Sequence, residues 1–415
     1  MFTQPLFELA LNIKDPWFIK DIQFSAEQKR LDIHIDFRKG ALFHYESKED
    51  NINGDFKAYD TDEKKWRHLN FFEHECFLHA RVPRLDIAPN TKRLIDPPWA
   101  GLGNGFTLLF EALILQLASH MPVHTVSKLT NESDYKIWAM LELYVNQAAA
   151  QNDYRLLTAV GMDETSKSKG HDYITLFVDL LKKRTIFIAE GKSHETIEAF
   201  VVDLKAHNAT AEQIKDVSCD MSPAFIKGVE DNLTEANMTF DRFHIMKIIG
   251  TAVNEVRKQE ALTQPALKDS RYVFLKNEKN LTEKQRQKRQ ELSMSHKNLK
   301  SMKALHIRES FQEIYNAPVP ELFESRLNDW YYWATHSRIK PIIEAAHTIK
   351  EHWDGVLNWN KSKMNNGLLE GLNSLIQAAK AKARGYRSFR CLRIIAFLIT
   401  GKLDFSQFNE SYLPI

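Results

Sequence analysis

The sequence predicts an α/β fold built on a mixed sheet, and the features that predict it lie in residues 153–258. Three apolar segments of strand length follow one another closely, as expected for strands that pair as antiparallel hairpins. Two further strand-like segments alternate with amphipathic helices, as in parallel α/β units. The predicted order is β-β-β-α-β-α-β, which gives a five-stranded mixed sheet with helices on its faces. The five strands are RLLTAVGMDE, DYITLFVDL, TIFIAEG, IKDVSCD and MTFD.

A small β-rich module is predicted before this sheet, in residues 1–100. Apolar and polar residues alternate in LDIHIDF and around FFEHECFLHARV, with turn-forming residues as in NINGD between them. This pattern predicts short strands. The Pro and Gly residues of PPWAGLGNG then mark a boundary near residue 100.

Residues 101–152 carry three segments at helical spacing, and a cap-rich turn precedes the last of them. This arrangement is typical of a helix-turn-helix, although a plain helical linker gives the same pattern. Downstream of the sheet, residues 259–355 predict a helical insertion. Residues 356–415 predict two helices, broken at Gly385, that complete the sheet-based domain.

Bulk composition indicates a soluble chain of several domains. At roughly 100–200 residues per domain, 415 residues predict two to four units. The chain is 43% hydrophobic and 27% charged, and it lacks both an apolar run of about 20 residues and a secretory signal. Cys76, Cys219 and Cys391 form no CxxC pair. We therefore expect a reducing cytoplasmic location, no disulfide framework and no structural zinc.

Basic residues are unevenly distributed although the net charge is only +2. Between Lys361 and Arg393 the only acidic residue is Glu370. A stretch this one-sided can neutralise phosphates, and a solvated helix face is the alternative. Its basic residues are Lys361, Lys363, Lys380, Lys382, Arg384, Arg387, Arg390 and Arg393.

Three carboxylates are candidates for metal-dependent chemistry. Asp163 and Asp220 end the first and fourth predicted strands, which lie side by side in a sheet of this order. Glu370 lies on a helix with apolar or small neighbours, so we expect it to point at protein. Carboxylates are the ligands that Mg²⁺ prefers, and two such ions stabilise the reacting oxygens of a phosphodiester. The alternative for Asp220 is a cap on the helix that begins near Ser222.

Four segments occur in a specific order: GMDETSKSKGHDY, CDMSPAFIKGV, FDRFHIMKII and, after the helical insertion, NNGLLEGLNSLIQAAKAKARGYR. In this combination the chain resembles the DDE transposases of the bacterial ISL3 insertion-sequence family. WRHLNFFEHECFLHARVPR and PPWAGLGNGFT match upstream, so the resemblance covers nearly the whole chain. It implies an RNase H-like catalytic domain interrupted by a helical insertion and preceded by a helix-turn-helix.

The resemblance also implies roles for particular residues. Asp163, Asp220 and Glu370 would be the triad that binds Mg²⁺ or Mn²⁺. Asp241 and His244, spaced as D-x-x-H, match a secondary motif of related transposases. His244 could orient a phosphate or a metal ligand, or be a helix-start histidine satisfied by packing, and the packing role is preferred.

The N-terminal module departs from the family pattern, which usually has paired cysteines that bind zinc. Residues around FHYESKED and LDIAPNTK stand in their place, so we expect no zinc. The remaining β-scaffold is expected to contact DNA through Arg67, His68, Arg81 and Arg84.

Other DNA contacts are predicted in two places. Lys380, Lys382, Arg384 and Arg387 are expected to hold the DNA backbone beside the cut site. The third helix of the helix-turn-helix, with Lys136 near its start, is expected to recognise terminal repeats. Trp138 and Tyr144 on that helix are predicted to be core residues.

These inferences predict a transposase that binds double-stranded terminal inverted repeats, hydrolyses one strand and lets the freed 3′-hydroxyl attack target DNA. An acidic triad has no place in a tyrosine recombinase, which excludes Tyr386 as a nucleophile. Because two DNA ends must be brought together, we expect at least a dimer in the active complex. We expect this complex to act at the bacterial nucleoid. The alternatives are a catalytically inactive or domesticated DNA-binding relative and an RNase H-like nuclease that cuts RNA or hybrids.

Overall fold

The computed structural model describes residues 3–47, 51–102, 105–167, 172–294, 298–362 and 367–409. These residues form two compact units. Unit 1 comprises Met1–Ala150 and Ala378–Ile415, and unit 2 comprises Gln151–Gln377. Residues 168–171 and 363–366 of the quoted motifs, Lys363 among them, lie outside the described residues. No described helix is both long and apolar enough to cross a membrane.

Unit 1 begins with a helix and a β-sheet of six strands within its described residues. The sheet order is β1-β2-β5-β4-β3, and β6 pairs with the C-terminal part of β5, beyond the residues that pair with β2. Trp17 and Trp66 both pack edge-on against Trp99 beneath it. The elements are α1 (Thr3–Ala10), β1 (Trp17–Ser25), β2 (Arg30–Phe37), β3 (Leu42–Ser47), β4 (Ile52–Phe71), β5 (His74–Ala88) and β6 (Thr91–Leu94).

The predicted β-rich module is confirmed, but the expectation of short strands was wrong. Strand β4 has 20 residues and β5 has 15. The first half of β4 has no buried residue, although half-buried and exposed side chains alternate along it, and pairing to β3 and β5 keeps it extended. Gly54 of NINGD lies inside β4 rather than in a turn, and α1 had no prediction.

The three predicted helices of the next segment are present: α2 (Leu108–His120), α3 (Val123–Thr130) and α4 (Asp134–Ala150). Thr107 caps α2 by accepting a hydrogen bond from the Phe110 backbone N–H. Asn131, with φ of 53°, makes the left-handed turn between α3 and α4. Tyr144 is fully buried as predicted, and Trp138 is half-buried with its ring edge-on to Tyr386.

Unit 2 contains the predicted mixed sheet. Among its described residues five strands pair in the order β11-β10-β7-β8-β9, antiparallel from β7 to β9 and parallel from β7 to β11. The prediction that the first and fourth strands are neighbours is therefore confirmed. The elements are β7 (Ala159–Ser166), β8 (Tyr173–Asp179), β9 (Arg184–Glu190), α5 (Glu195–Ala206), β10 (Asp216–Cys219), α6 (Pro223–Asn232) and β11 (Asn237–Phe240).

The rest of the described chain is helical, and the helices up to α13 share one hydrophobic core with the sheet. Phe240 of β11 lies so close to Gly355 that a Cβ there would be 2.3 Å from its ring. The helices are α7 (Arg242–Ala261), α8 (Arg271–Leu275), α9 (Glu283–Met294), α10 (Lys300–Ile314), α11 (Pro320–Thr335), α12 (Lys340–Glu351), α13 (Trp353–Ser362), α14 (Gly367–Lys382) and α15 (Phe389–Thr400).

Helix α14 returns to the sheet after the helical segment. Leu369 packs with Val178 of β8, and its Cδ1 would lie 2.7 Å from a Cβ at Gly161 of β7, so the absent side chain lets the helix approach. The division between the units falls inside α14, after Gln377. The predicted break follows at Gly385, where φ is 99°.

Candidate active site

Strand register places Asp163 and Asp220 together. The last paired residues of the parallel strands β7 and β10 are Gly161 and Ser218, and each aspartate lies two residues further on. Because side chains alternate between the faces of a sheet, continuing this register would bring both aspartates to the face of that pair. The Asp220 carboxylate is close enough to Asp163 to raise its pKa. Asp163 is not at the end of its strand as predicted, since β7 continues to Ser166 along β8. It lies instead where β10 stops.

The Asp163 carboxylate is held by two donors. Its Oδ1 accepts a hydrogen bond from the Glu164 backbone N–H at 2.8 Å, and its Oδ2 accepts one from Asn373 Nδ2 at 2.6 Å. Burial raises the pKa of Asp163 to about 6, and the neighbouring Asp220 carboxylate adds to this rise. Two carboxylates in one partly buried place favour a cation between them.

Asp220 also has a local structural role. Its Oδ1 accepts a hydrogen bond from the Ser222 backbone N–H at 2.9 Å, just before helix α6 begins at Pro223. The cap foreseen as an alternative takes another form, because Ser222 is the N-cap of α6 and Asp220 closes the turn before it. This turn is compatible with a site role because it fixes the carboxylate. Asp220 and His244 line a pocket of about 460 Å³.

Asp241 and His244 form a hydrogen-bonded pair at the start of α7. Asp241 caps the helix by accepting from the Phe243 backbone N–H, and its Oδ2 accepts from His244 Nδ1 at 2.8 Å. The bond to Asp241 raises the pKa of His244, and the Asp220 and Asp163 carboxylates contribute to the rise. His244 is half-buried among carboxylates, which favours an electrostatic role over the preferred packing role.

Two amide side chains that the sequence analysis missed attach α14 to β7. Asn373 donates to Asp163, and Gln377 Nε2 donates to Thr165 Oγ1 at 2.7 Å and to the Ser166 carbonyl at 3.0 Å. Together with Leu369 these residues repeat every four positions, so they share one face of the helix. Asn373 could have been found from its spacing to Glu370, because residues three apart are neighbours on a helix.

This attachment brings Glu370 back to the sheet, one turn before Asn373. The expectation that Glu370 points at protein was wrong, because its side chain is exposed. Its apolar neighbours Leu369 and Leu372 face the sheet, and Glu370 lies beside them on the rim. Glu370 and Asp241 line one cleft of about 770 Å³. Within the described ranges, no three His, Cys, Asp or Glu side chains are grouped closely enough for a metal ion.

The residues at this site nevertheless fit a divalent cation of the Mg²⁺ class. The donors are oxygens, which such ions require. Asn373 Oδ1 is buried without a hydrogen-bond partner, although the same amide holds Asp163 through Nδ2. A buried acceptor that lacks a donor is costly, and a cation or its hydration water would satisfy it. Asp163 and Asp220 are the residues placed to hold the ion, with Glu370 on the facing helix.

Comparison with known proteins identifies the chain. Residues 160–396, more than half of the chain, match a family model described as a transposase of the DDE type. The protein belongs to the ISL3 family of transposases. Residues 95–145 match the helix-turn-helix domain of the same transposase family, and this range contains α2 and α3 and most of α4.

Two transposases of insertion sequence elements are similar along most of their length. The IS1001 transposase of Bordetella parapertussis is 26% identical over 346 residues, which cover 80% of this chain and 83% of that protein. The IS1557 transposase of Mycobacterium tuberculosis is 26% identical over 368 residues, which cover 81% of each chain. Asp163, Asp220, Glu370, Asp241 and His244 all lie inside the matched residues 160–396.

The predicted DNA contacts of the N-terminal module need correction. Arg67 and His68 are only 3% and 9% exposed, and their side chains are engaged by other residues of unit 1, so they are not available to DNA. Arg67 instead donates to the Cys76 and Thr130 carbonyls and pairs with Glu132. Arg81 and Arg84 are on the surface, but they form ion pairs with Asp36 and Asp60, respectively.

The other predicted DNA-binding residues are distributed over unit 1. Lys136 at the start of α4 is paired with Glu132 at 3.3 Å. Lys380 is half-buried, whereas Lys382, Arg384 and Arg387 are exposed around the turn after α14. These three give the transposase an exposed basic segment.

Proposed function

We propose that this ISL3 transposase cuts DNA at the terminal inverted repeats of an insertion sequence and joins the freed 3′ end to target DNA, with Asp163, Asp220 and Glu370 as its divalent-metal triad. The proposal is carried by the position of Asp163 and Asp220, each two residues beyond the last β7–β10 pair, and by helix α14, which is attached to the same sheet at Asp163 and bears Glu370. The family supplies the DNA-processing class, and the carboxylate arrangement supports the reaction.

The side chains of the site have distinct tasks in this reaction. Bound Mg²⁺ or Mn²⁺ would stabilise the charge that develops on the attacking and leaving oxygens. Asp163 and Asp220 hold the cation, and Asn373 keeps the Asp163 carboxylate in one orientation. His244, whose pKa is raised by its hydrogen bond to Asp241, can donate a hydrogen bond to a phosphate oxygen in the site.

Unit 1 supplies the proposed recognition of double-stranded DNA. Helix α4, with Lys136, is the recognition helix for the terminal repeats. Lys382, Arg384 and Arg387 neutralise backbone phosphates without reading sequence. Two ends must be paired before joining, so the active complex contains at least two copies of the chain, and it acts on chromosomal DNA at the nucleoid.

Glu370→Gln tests the proposed function because it removes the charge of one ligand and keeps its shape. We expect Mg²⁺-dependent nicking of repeat-ended DNA to fall by at least about 10²-fold. Glu324→Gln, which neutralises an exposed acid on α11, is the matched control and should cut normally. A Glu370→Gln protein that nicks DNA as fast as this control would overturn the triad.

A further inference from the structure

The cleft that contains Glu370 and Asp241 extends along α7 into the helical segment, where α8 and α10 line it. The sequence analysis gave this segment no function. Five basic residues line the cleft, against the two carboxylates named. They are Arg242, Lys247, Arg271, Lys276 and Arg308.

These five cations lack carboxylate partners. None of them forms an ion pair with any residue in the described part of the chain, whereas Arg289 of the same helical segment pairs with Glu309 at 2.8 Å. Arg242 lies over the Tyr315 ring at 4.4 Å. Asp241, one of the two acids that line the cleft, accepts a hydrogen bond from His244. The cleft therefore has a strong excess of uncompensated positive charge, which attracts anions.

Arg308 is the most informative of the five because it is buried. It is 6% exposed, and its Nη2 donates to the Leu275 carbonyl and to Asn277 Oδ1. Its Nη1 is buried and has no hydrogen-bond partner. A buried guanidinium with neither a carboxylate nor a full set of acceptors is costly, and an anion in the cleft would relieve this cost.

Exposed aromatic rings accompany the cations. Phe243 lines the cleft and is 60% exposed. Tyr272, between the lining residues Arg271 and Lys276, is 56% exposed, and both cations lie within 6 Å of its ring. Aromatic faces beside backbone-binding cations are typical of surfaces on which nucleic-acid bases stack.

We propose that this cleft is a strand channel, in which the phosphates of a DNA strand bind Arg271, Lys276 and Arg308 while the strand passes Glu370. The channel recognises the sugar-phosphate backbone rather than a base sequence, because its polar groups are cations. The inference rests on the proposed function for its choice of DNA over other polyanions. The strand comes either from DNA flanking the element end or from target DNA, and both present the same phosphates.

The test removes two cations from the channel in the full-length protein. Arg271→Ala/Lys276→Ala is compared with Lys284→Ala/Arg286→Ala, which removes two exposed cations from α9, so that both variants have the same net charge. Affinity for fluorescent DNA is measured against salt concentration. The channel variant should lose about 1.4 to 1.8 from the slope of log K against log salt, as for two lost phosphate contacts, and the α9 variant should lose none.

Two DNA substrates separate the sources of the strand. The difference in affinity between repeat DNA with a flanking segment and repeat DNA that ends at the repeat measures binding of the flanking strand. Binding of added plasmid by the protein with pre-cleaved repeat ends measures binding of the target strand. A loss confined to either substrate supports the channel and assigns its strand, and equal behaviour of both variants on all substrates overturns it.

Arg308→Met provides a second measurement on the buried cation. A variant that stays folded and binds DNA more weakly than the parent supports the channel, and its melting temperature reports the cost of losing the hydrogen bonds to Leu275 and Asn277. Unchanged DNA binding would argue against the channel. Since these measurements report binding, a channel effect in a protein without nicking activity would retain the channel and reject only the proposed reaction.

Discussion

Two acidic residues, Glu111 in unit 1 and Asp163 in unit 2, respond to burial in the same way but have different surroundings. Burial raises the pKa of Glu111 to about 7 and that of Asp163 to about 6. A perturbed acid is often taken as a sign of an active site. The environment of each residue shows that the shift alone does not distinguish a catalytic acid from a structural one.

Glu111 is completely enclosed within the helix-turn-helix. It is 0% exposed, its Oε2 accepts from the Tyr144 hydroxyl and the Leu102 backbone N–H, and a Cβ at Gly101 would overlap its carboxyl group. Asp163 is only half-buried, and Asp220 and His244 lie within electrostatic reach. The second carboxylate and the access to solvent support the proposal that the Asp163 site binds a metal and a substrate.

The largest expected difference between the two acids is in catalysis. Asp163→Asn should lower Mg²⁺-dependent strand cleavage by about 10³-fold, because it removes a charged ligand while the hydrogen-bonded shape remains. Glu111→Gln should cleave like the parent protein. Both variants are assayed on the same repeat-ended DNA. A similar loss in both would mean that the surroundings do not separate a catalytic acid from a structural one.

The second difference is in the pH dependence of stability. The folded protein keeps the Glu111 proton up to about pH 7, whereas the unfolded chain releases it near its ordinary pKa of 4.5. The contribution of Glu111 to the free energy of unfolding is therefore complete below pH 4.5 and is lost as pH rises through 7. The loss is roughly 3 kcal/mol. Thermal denaturation between pH 5 and pH 8 should record it.

Glu111→Gln should flatten this pH profile, because glutamine does not titrate. Glu324→Gln, which changes an exposed acid, should keep the slope of the parent. A Glu111→Gln protein with the parental pH profile would contradict the assignment of the slope to Glu111.

The smallest expected effect concerns the amides that attach α14 to β7. Asn373→Ala should raise the Mg²⁺ concentration needed for half-maximal cleavage by about 10- to 100-fold, because Asp163 loses the donor that orients it. Gln377→Ala removes the neighbouring attachment to Thr165 and Ser166 but leaves Asp163 untouched. It should change the melting temperature about as much as Asn373→Ala with little change in Mg²⁺ requirement. Equal shifts in Mg²⁺ requirement would reduce Asn373 to a packing role.

The strands and helices of the catalytic region were predictable because their signals are local. Alternation and apolar runs in the sequence predicted β7 to β11, and their succession predicted the strand order. Capping residues predicted α2 to α4. The pairing of Asp163 with Asp220 followed in turn, since neighbouring parallel strands fix their register. The long β4 escaped prediction because no side chain in its first half is buried and because NINGD at its start contains turn-forming residues.

The basic residues show where sequence analysis reaches its limit. Arg67 and Arg308 cannot be distinguished in the sequence, and both are buried in the structure. Arg67 is paired with Glu132, whereas Arg308 has no ion-pair partner among the described residues. Lys136 was predicted from its position on α4, but its pairing with Glu132 was not. Whether a cation is available to DNA depends on partners far away in the chain, and those partners are chosen by packing.

The family, the α/β pattern, the helical pattern and the candidate acids Asp163, Asp220 and Glu370 could all be identified from the sequence alone. They depend only on residue type and on short spacing along the chain. Tertiary structure decided how Glu370 returns over the 150 residues (370 − 220) that separate it from Asp220. It also revealed Asn373 as the link between α14 and Asp163, and it left the cations of the strand channel without partners. These outcomes depend on which distant surfaces pack together, and local periodicity carries no information about that choice.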